Sequence, residues 1–334
     1  MLSPVFLSLL VSAASATLYT PISTTCPSTS LVRAASGLSD NEEAYRVSRK
    51  AVADEALKAW LTSTDSGFGT AELPTVALTT SGGGYRSMLS GAGVIQGLDS
   101  RDSNVSTSGL FQALTYQAGL SGGSWLLTSI SGNNYPTVSN LRDTLWEQAL
   151  QDSLFDPGEL WAAVNDIRIV DDIASKEAAG FDTTLTDPWG RLLGYQFYKQ
   201  DDGGAGVTWS SVTTFSNFTS HAVPYPVITA LGVKVWEGQC LPGPNATTYE
   251  FTPYEFGSWD SDVSAFTPTE YLGTSLKGGV PTSALCTTNY DNIGYITGTS
   301  SNLFSELCTD LPAPANSSTD VAATLEAVLD KIHE

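Results

Sequence analysis

Basic residues are scarce. Lys and Arg number 15 against 35 Asp and Glu, a formal net charge of −20 over 334 residues. A phosphate backbone demands clustered cations, and the densest basic spot is only Arg46, Arg49 and Lys50. Nucleic acid is therefore excluded as a partner, as is attraction to an anionic membrane through a polybasic patch. Histidine is scarcer still, with only His221 and His333. The cysteines, Cys26, Cys240, Cys286 and Cys308, form no C-x-x-C pair, so a structural zinc site is not expected. There is no run of ~18 apolar residues of the kind that crosses a bilayer. No glycine-rich stretch ends in the G-K-[ST] of a nucleotide-binding loop. What is present is apolar: 41% of residues are hydrophobic and 10% aromatic, too many for a disordered chain. The length suggests one large domain or two ordinary ones, with a core that needs no disulfide scaffold.

The N-terminus places the chain in a compartment. An apolar run from Pro4 to Val11 precedes Ala14-Ser15-Ala16, so residues 1–16 read as a secretory signal peptide and 17–334 as the mature domain. Sequons at Asn104, Asn217, Asn245 and Asn316 agree with a secreted or cell-wall-associated glycoprotein. An even cysteine count in an oxidising compartment suggests two disulfides with three possible connectivities. Cys286 with Cys308 closes the shortest loop.

Hydrophobic spacing gives the organisation. A polar helix is expected over Asp40 to Leu61, with Asp40 as N-cap and Glu43 three residues on. A strand at Thr75 to Thr80 leads into Ser81-Gly82-Gly83-Gly84-Tyr85-Arg86 and then a helix carrying Met88, Leu89, Ala92, Ile95 and Leu98. A second strand, Leu114 to Ala118, leads into Gly119-Leu120-Ser121-Gly122-Gly123 and another helix. That rhythm predicts an α/β fold with a mostly parallel sheet. Leu141 to Ala179 reads as mostly helical. Val227 to Val233 and Tyr249 to Phe256 read as strands, Leu311 to Asp320 as loop, and Val321 to Ile332 as a short amphipathic helix.

Chemistry concentrates in the two glycine turns. Gly119 to Gly123 is a G-x-S-x-G on a strand-to-helix turn, which exposes the Ser121 hydroxyl above the sheet. The consecutive glycines Gly82, Gly83 and Gly84 allow backbone N–H groups to point into open space, as an oxyanion hole requires. Gly91-Ala92-Gly93 reads as a site of close helix packing. Arg86 opposes the dipole of its helix, which calls for a compensating anion: a substrate phosphate or a neighbouring carboxylate. A Ser-His-Asp triad needs a histidine. His333 is penultimate and His221 reads as a surface loop, leaving a Ser-Asp dyad or an incomplete site.

These residues carry a family resemblance. Ser81 to Leu89 (SGGGYRSML) resembles the S-G-G-G-x-R-A-M segment of the fungal lysophospholipase/phospholipase B family, which cytosolic group IV phospholipases share. Gly119 to Trp125 (GLSGGSW) resembles that family's nucleophile segment, and similarity extends through Trp209-Ser210-Ser211, Phe251 to Trp259 and Asp291 to Ser301. The resemblance implies a three-layer, patatin-like α/β fold with helices on both faces of the sheet. It implies hydrolysis of fatty-acyl esters of lysophospholipids and phospholipids at a micelle or membrane surface, with no metal or cofactor. By position, Ser121 would be the nucleophile, Gly83 and Gly84 the oxyanion-hole donors, and Arg86 the phosphate ligand. The family's D-G-G aspartate segment has no counterpart here; the nearest lookalike is Asp202-Gly203-Gly204, with polar flanks. Asp202 is the fallback base. The main expectation is a catalytic domain incomplete at its C-terminus, whose aspartate falls beyond residue 334. An inactive glycoprotein of the same fold and an esterase of other substrates are the alternatives.

Overall fold

The structure is a computed structural model describing residues 16–151, 166–233 and 242–302. Most of the signal segment, Cys240, Cys308, Asn316, His333 and the expected C-terminal loop and helix lie outside the described residues.

The longest helix among the described residues, α1 (Asp40–Thr64), is capped one residue earlier than expected. Ser39, not Asp40, is the N-cap, and its side chain accepts from the Glu42 N–H at 3.2 Å. Asp40, Glu42 and Glu43 then occupy the first turn, where acids favour the dipole. Arg46 pairs with Glu43 and Lys50 with Asp54. Arg49 is fully buried, donating to the carbonyls of Leu114, Gln112 and His221. Of the densest basic spot in the sequence, one cation is thus buried and the other two are paired with carboxylates along the same helix.

The main sheet has the order β2 (Arg33–Ala34), β8 (Ala265–Pro268), β7 (Glu255–Ser258), β6 (Thr248–Phe251), β5 (Tyr225–Leu231), β4 (Leu114–Leu120), β3 (Val76–Thr80). It is mixed rather than mostly parallel. Only β3/β4 and β4/β5 are parallel; the other neighbouring pairs are antiparallel. The reason lies in the connections. Parallel neighbours need a long crossover, and helices α2 (Gly84–Leu98) and α3 (Gly122–Gly132) supply it on leaving β3 and β4. After β6 the links are short, and short links permit only hairpins. The stretch read as one strand from Tyr249 to Phe256 is such a hairpin. It folds at Thr252-Pro253-Tyr254, where Pro253 has no N–H to give a ladder and Thr252 N–H donates to the Glu255 carbonyl at 2.8 Å.

Helices cover both faces. Tyr116 on β4 donates to Glu42 of α1 at 3.1 Å, whereas Gly119, three residues on, backs onto Gly123 of α3. Residues an odd number apart along a strand face opposite sides, so α1 and α3 sandwich the sheet. On the α3 side lie α5 (Thr186–Phe197) and α6 (Ile293–Ser300), with α4 (Asp166–Ala178) packed on α5. Trp125, Trp189 and Phe197 form a buried aromatic cluster there. Helices α5 and α6 cross with backbones touching: a Cβ at Gly190 would lie 2.7 Å from the Gly294 carbonyl oxygen.

The N-terminal segment closes over the same layer. Tyr19 is buried and donates to Asp187, which also holds the buried Lys176. Strand β1 (Ile22–Thr25) pairs with β11 (Leu285–Thr288), placing Thr24 opposite Cys286. A disulfide joins Cys286 to Cys26, with Cα atoms 4.8 Å apart. This selects, of the three possible connectivities, the one that pairs Cys26 with Cys286 rather than the shortest loop: strand pairing brings the partner within bridging distance.

Burial shifts several acids upward. Glu42 is pushed to about 7 and Asp291 to about 6, in each case mainly by burial; Glu250 moves the same way for the same reason. A carboxyl whose folded value exceeds its unfolded value binds more protons when folded. Its contribution is full below the unfolded value and is lost as pH rises through the folded one. The urea midpoint is therefore expected to fall between about pH 4 and pH 7. The Asp291→Asn variant should flatten that slope by up to about 3 kcal/mol, and chemical denaturation across the range measures it.

Candidate active site

Register brings the two glycine turns together. Thr80 at the end of β3 pairs with Gly119 near the end of β4, so both strands release their chains at the same edge. From β3 the chain turns through Ser81 to Gly83 into α2, and from β4 it turns through Ser121 into α3. The turns then meet backbone to backbone. A Cβ at Gly122 would lie 2.7 Å from the Gly84 nitrogen, and one at Gly123 would lie 2.6 Å from the Thr80 carbonyl carbon. No side chain fits between them. Gly91 likewise sits against Leu126, 2.7 Å from a built Cβ, as expected for close helix packing; Gly93 faces open space and plays no such part.

Ser121 is the cap residue of α3, with φ 54° and ψ −122°. A non-glycine residue held at positive φ is strained, and this is the conformation of a nucleophile elbow. Its carbonyl accepts from the Ser124 hydroxyl at 2.6 Å and the Trp125 N–H at 3.0 Å. Its own N–H donates to the hydroxyl of Ser300, the last residue of α6, at 3.0 Å.

The opposing turn is built to present N–H groups. Gly83 has φ 138° and Gly84 φ 56°, values that L side chains rarely adopt. As the cap and first residue of α2 they have no intrahelical acceptor, and among the described residues no hydrogen bond engages their N–H groups. The turn is braced by Ser87, whose hydroxyl donates to the Ser81 carbonyl, and by Tyr85, which donates to Gln196 at 2.6 Å and packs edge-on against Trp125. An open groove of about 490 Å3 runs beside it, lined by Leu78, Thr80, Gly82, Gly83, Arg86 and Val94 among others. Arg86 is exposed in this groove, and among the described residues no carboxylate pairs with it.

The other base candidates lie elsewhere. His221 is half-buried against Tyr45, and its carbonyl accepts from Arg49, which also binds the Leu114 carbonyl. Leu114 opens β4 and Ser121 follows its end, a separation of roughly 20 Å at strand rise. Asp202 sits at φ 54° with its carboxylate committed to the Tyr195 hydroxyl, Arg191 and Arg168. Among the described residues neither joins Ser121 through a hydrogen bond. Of the sequons, Asn104 and Asn245 are exposed, whereas Asn217 is half-buried with its amide donating to the Asn134 carbonyl at 2.8 Å.

The site residue that sequence reasoning passed over is Ser300. It falls within the Asp291 to Ser301 similarity, but a serine among Gly298-Thr299-Ser300-Ser301 has no spacing that signals a partner 179 positions away.

A layered α/β fold in which a strained serine turn and a glycine turn meet at the ends of two parallel strands defines the class. Residues 76–334 match the family described as lysophospholipase catalytic domain, and the chain belongs to that family. It is 37% identical over 329 residues to probable lysophospholipase 3 of Schizosaccharomyces pombe, covering 95% of this chain and 49% of that protein. It is 39% identical over 318 residues to lysophospholipase 3 of Candida albicans, covering 88% of this chain and 42% of that one. The chain thus spans about half the length of these curated relatives. Among solved structures, human GIVD cytosolic phospholipase A2 superposes with a TM-score of 0.65 at 23% identity, over 85% of this chain and 38% of that one, a likeness of fold. The same human enzyme in complex with a methyl γ-linolenyl fluorophosphonate inhibitor and terbium chloride gives 0.61 at 25% identity, over 83% of this chain and 36% of that one.

Because Gly122 touches the opposing turn through backbone atoms, Gly122→Ala should force the turns apart. A stability loss of about 1–3 kcal/mol is expected, read from the urea midpoint. Gly93→Ala, in open space, should be neutral or slightly stabilising.

Proposed function

We propose that this chain carries the nucleophile half of a secreted lysophospholipase. The observation that carries the reading is Ser121 at positive φ, its elbow in backbone contact with the Gly82–Gly84 turn, where no hydrogen bond among the described residues engages the Gly83 and Gly84 N–H groups. The Ser121 hydroxyl would attack the carbonyl carbon of a fatty-acyl ester. The oxyanion would form against the Gly83 and Gly84 N–H groups. The ester C–O bond would then break, and the glycerophospho alcohol would leave with the proton taken from Ser121. Water would cleave the acyl-serine, releasing the fatty acid and restoring the hydroxyl.

The proton needs a base, and we assign that role to an aspartate encoded beyond residue 334, forming a Ser-Asp dyad. Asp202 supports this poorly as a substitute, being held by Tyr195, Arg191 and Arg168. Arg86 would take the substrate phosphate, since no carboxylate among the described residues claims it. Lysophospholipids and phospholipids are the substrate class, met at a micelle or bilayer surface.

Secretion rests on the leader pattern of residues 1–16 and the sequons, with the Cys26–Cys286 disulfide fitting an oxidising compartment. The mature protein should then begin at Thr17 by N-terminal sequencing. Glycosidase treatment should reduce its mass, with Asn104→Gln and Asn245→Gln each removing one glycan.

The activity is tested on a version extended through its downstream coding sequence. Lysophosphatidylcholine should release fatty acid, and Ser121→Ala should lower turnover by roughly four orders of magnitude or more while abolishing fluorophosphonate labelling. Arg86→Ala should raise KM for lysophosphatidylcholine by about 10–100-fold and leave hydrolysis of an uncharged ester within about threefold. No fatty-acid release and no label at Ser121 would sink the reading in favour of a non-catalytic glycoprotein.

A further inference from the structure

Ser300 occupies an unusual place. Strands β4 and β5 run parallel with Leu120 opposite Thr229, and there the ladder stops. Ser121 lifts off the sheet at positive φ, so its N–H no longer faces β5 directly. The Ser300 hydroxyl fills the gap. It accepts from the Ser121 N–H at 3.0 Å and donates to the Thr229 carbonyl at 2.7 Å. One side-chain oxygen is therefore spliced into a backbone ladder where the nucleophile leaves it.

The helix carrying this hydroxyl is held independently of the elbow. Asn292 caps α6 by accepting from the N–H groups of Gly294 and Tyr295, and its amide donates to the Ala205 carbonyl at 2.9 Å. Gly294 packs backbone to backbone on Gly190 of α5. Thr297 anchors the middle of α6 to Tyr198 and to Thr128 of α3. Ser300 itself is 7% exposed, so water does not substitute freely for it.

We infer that Ser300 is a positioning residue: its hydroxyl sets the angle at which Ser121 leaves the sheet, and thereby aims the nucleophile at the Gly83–Gly84 turn. This rests on Ser121 being the nucleophile, as proposed above. Removing the hydroxyl orphans one buried donor and one acceptor. The donor belongs to the strained residue, so the elbow is free to relax. Displacement of a reacting atom by about 1 Å costs on the order of 100-fold in rate.

The experiment compares Ser300→Ala, Ser300→Thr and, as a control, Ser301→Ala. Ser301 is also buried; its hydroxyl donates to the Thr297 carbonyl at 2.9 Å and accepts from Trp189 Nε1 at 3.4 Å, with no bond to the elbow. Two readouts are taken: the second-order rate of fluorophosphonate labelling at Ser121, and hydrogen exchange of the Ser121 amide. Ser300→Ala should slow labelling by about 10–100-fold and speed exchange at Ser121 by at least about tenfold, beyond any change in Ser301→Ala. Ser300→Thr, which keeps the hydroxyl, should recover labelling to within about threefold of wild type. Labelling of Ser300→Ala within twofold of wild type, or unchanged exchange at Ser121, would overturn the inference. Should wild type fail to label, the nucleophile reading falls, and the exchange arm alone decides whether Ser300 holds this amide. Should Ser300→Ala not fold, a wild-type Ser121 amide exchanging as fast as exposed loop amides would overturn it.

Discussion

Two chain turns must occupy nearly the same space, and glycine is the only residue that lets them. Gly122 and Gly123 of the serine elbow press on the backbone of Gly84 and Thr80, with no room for a Cβ at either of these two elbow glycines. This contact fixes the distance between the Ser121 hydroxyl and the free N–H groups of the opposite turn. It also dictates much of what surrounds it. The turns can only meet if their strands are adjacent, parallel and in register, and the Thr80–Gly119 pairing supplies that. Parallel strands in turn demand crossover helices, and α2 and α3 pack against each other as those crossovers. The parallel part of the sheet is small, the three strands β3, β4 and β5. The rest of the sheet is an antiparallel extension that widens the core without touching the turns.

How much of this was legible in the sequence follows from the range over which each feature is determined. The elbow and the glycine turn are local: a strand, a handful of glycines and a helix occupy consecutive residues, so Ser121, Gly83 and Gly84 stood out before any fold was known. Strand direction beyond β5 was not legible, because the strand–helix rhythm was read from β3 and β4 and extended to a region where short links enforce hairpins. Pro253 was a local clue to the break in the Tyr249 to Phe256 stretch. The cysteine pairing was hidden because Cys26 and Cys286 are 260 residues apart and meet only through the β1/β11 register. Ser300 was hidden for the same reason: its role exists only where α6 crosses the end of β4. Local chemistry is written in local motifs, whereas the supports that hold it are long-range.

The charge distribution sharpens the distinction between bulk and site. A net charge of −20 makes the protein as a whole repel anionic surfaces. Three of the 15 basic residues are internal: Arg49, Arg191 and Lys176 are all buried, satisfying carbonyls or carboxylates. Helix α1 has its N-terminus neutralised by Asp40, Glu42 and Glu43 in its first turn. Helices α2 and α3 carry no acid in their first turns, and their N-termini converge on the strand ends where Arg86 is exposed. Partial positive charge from two helix dipoles and one full cation are thus left without a protein counter-charge among the described residues. In a molecule with acids to spare, this edge of the sheet therefore presents donors and a cation suited to an anionic group.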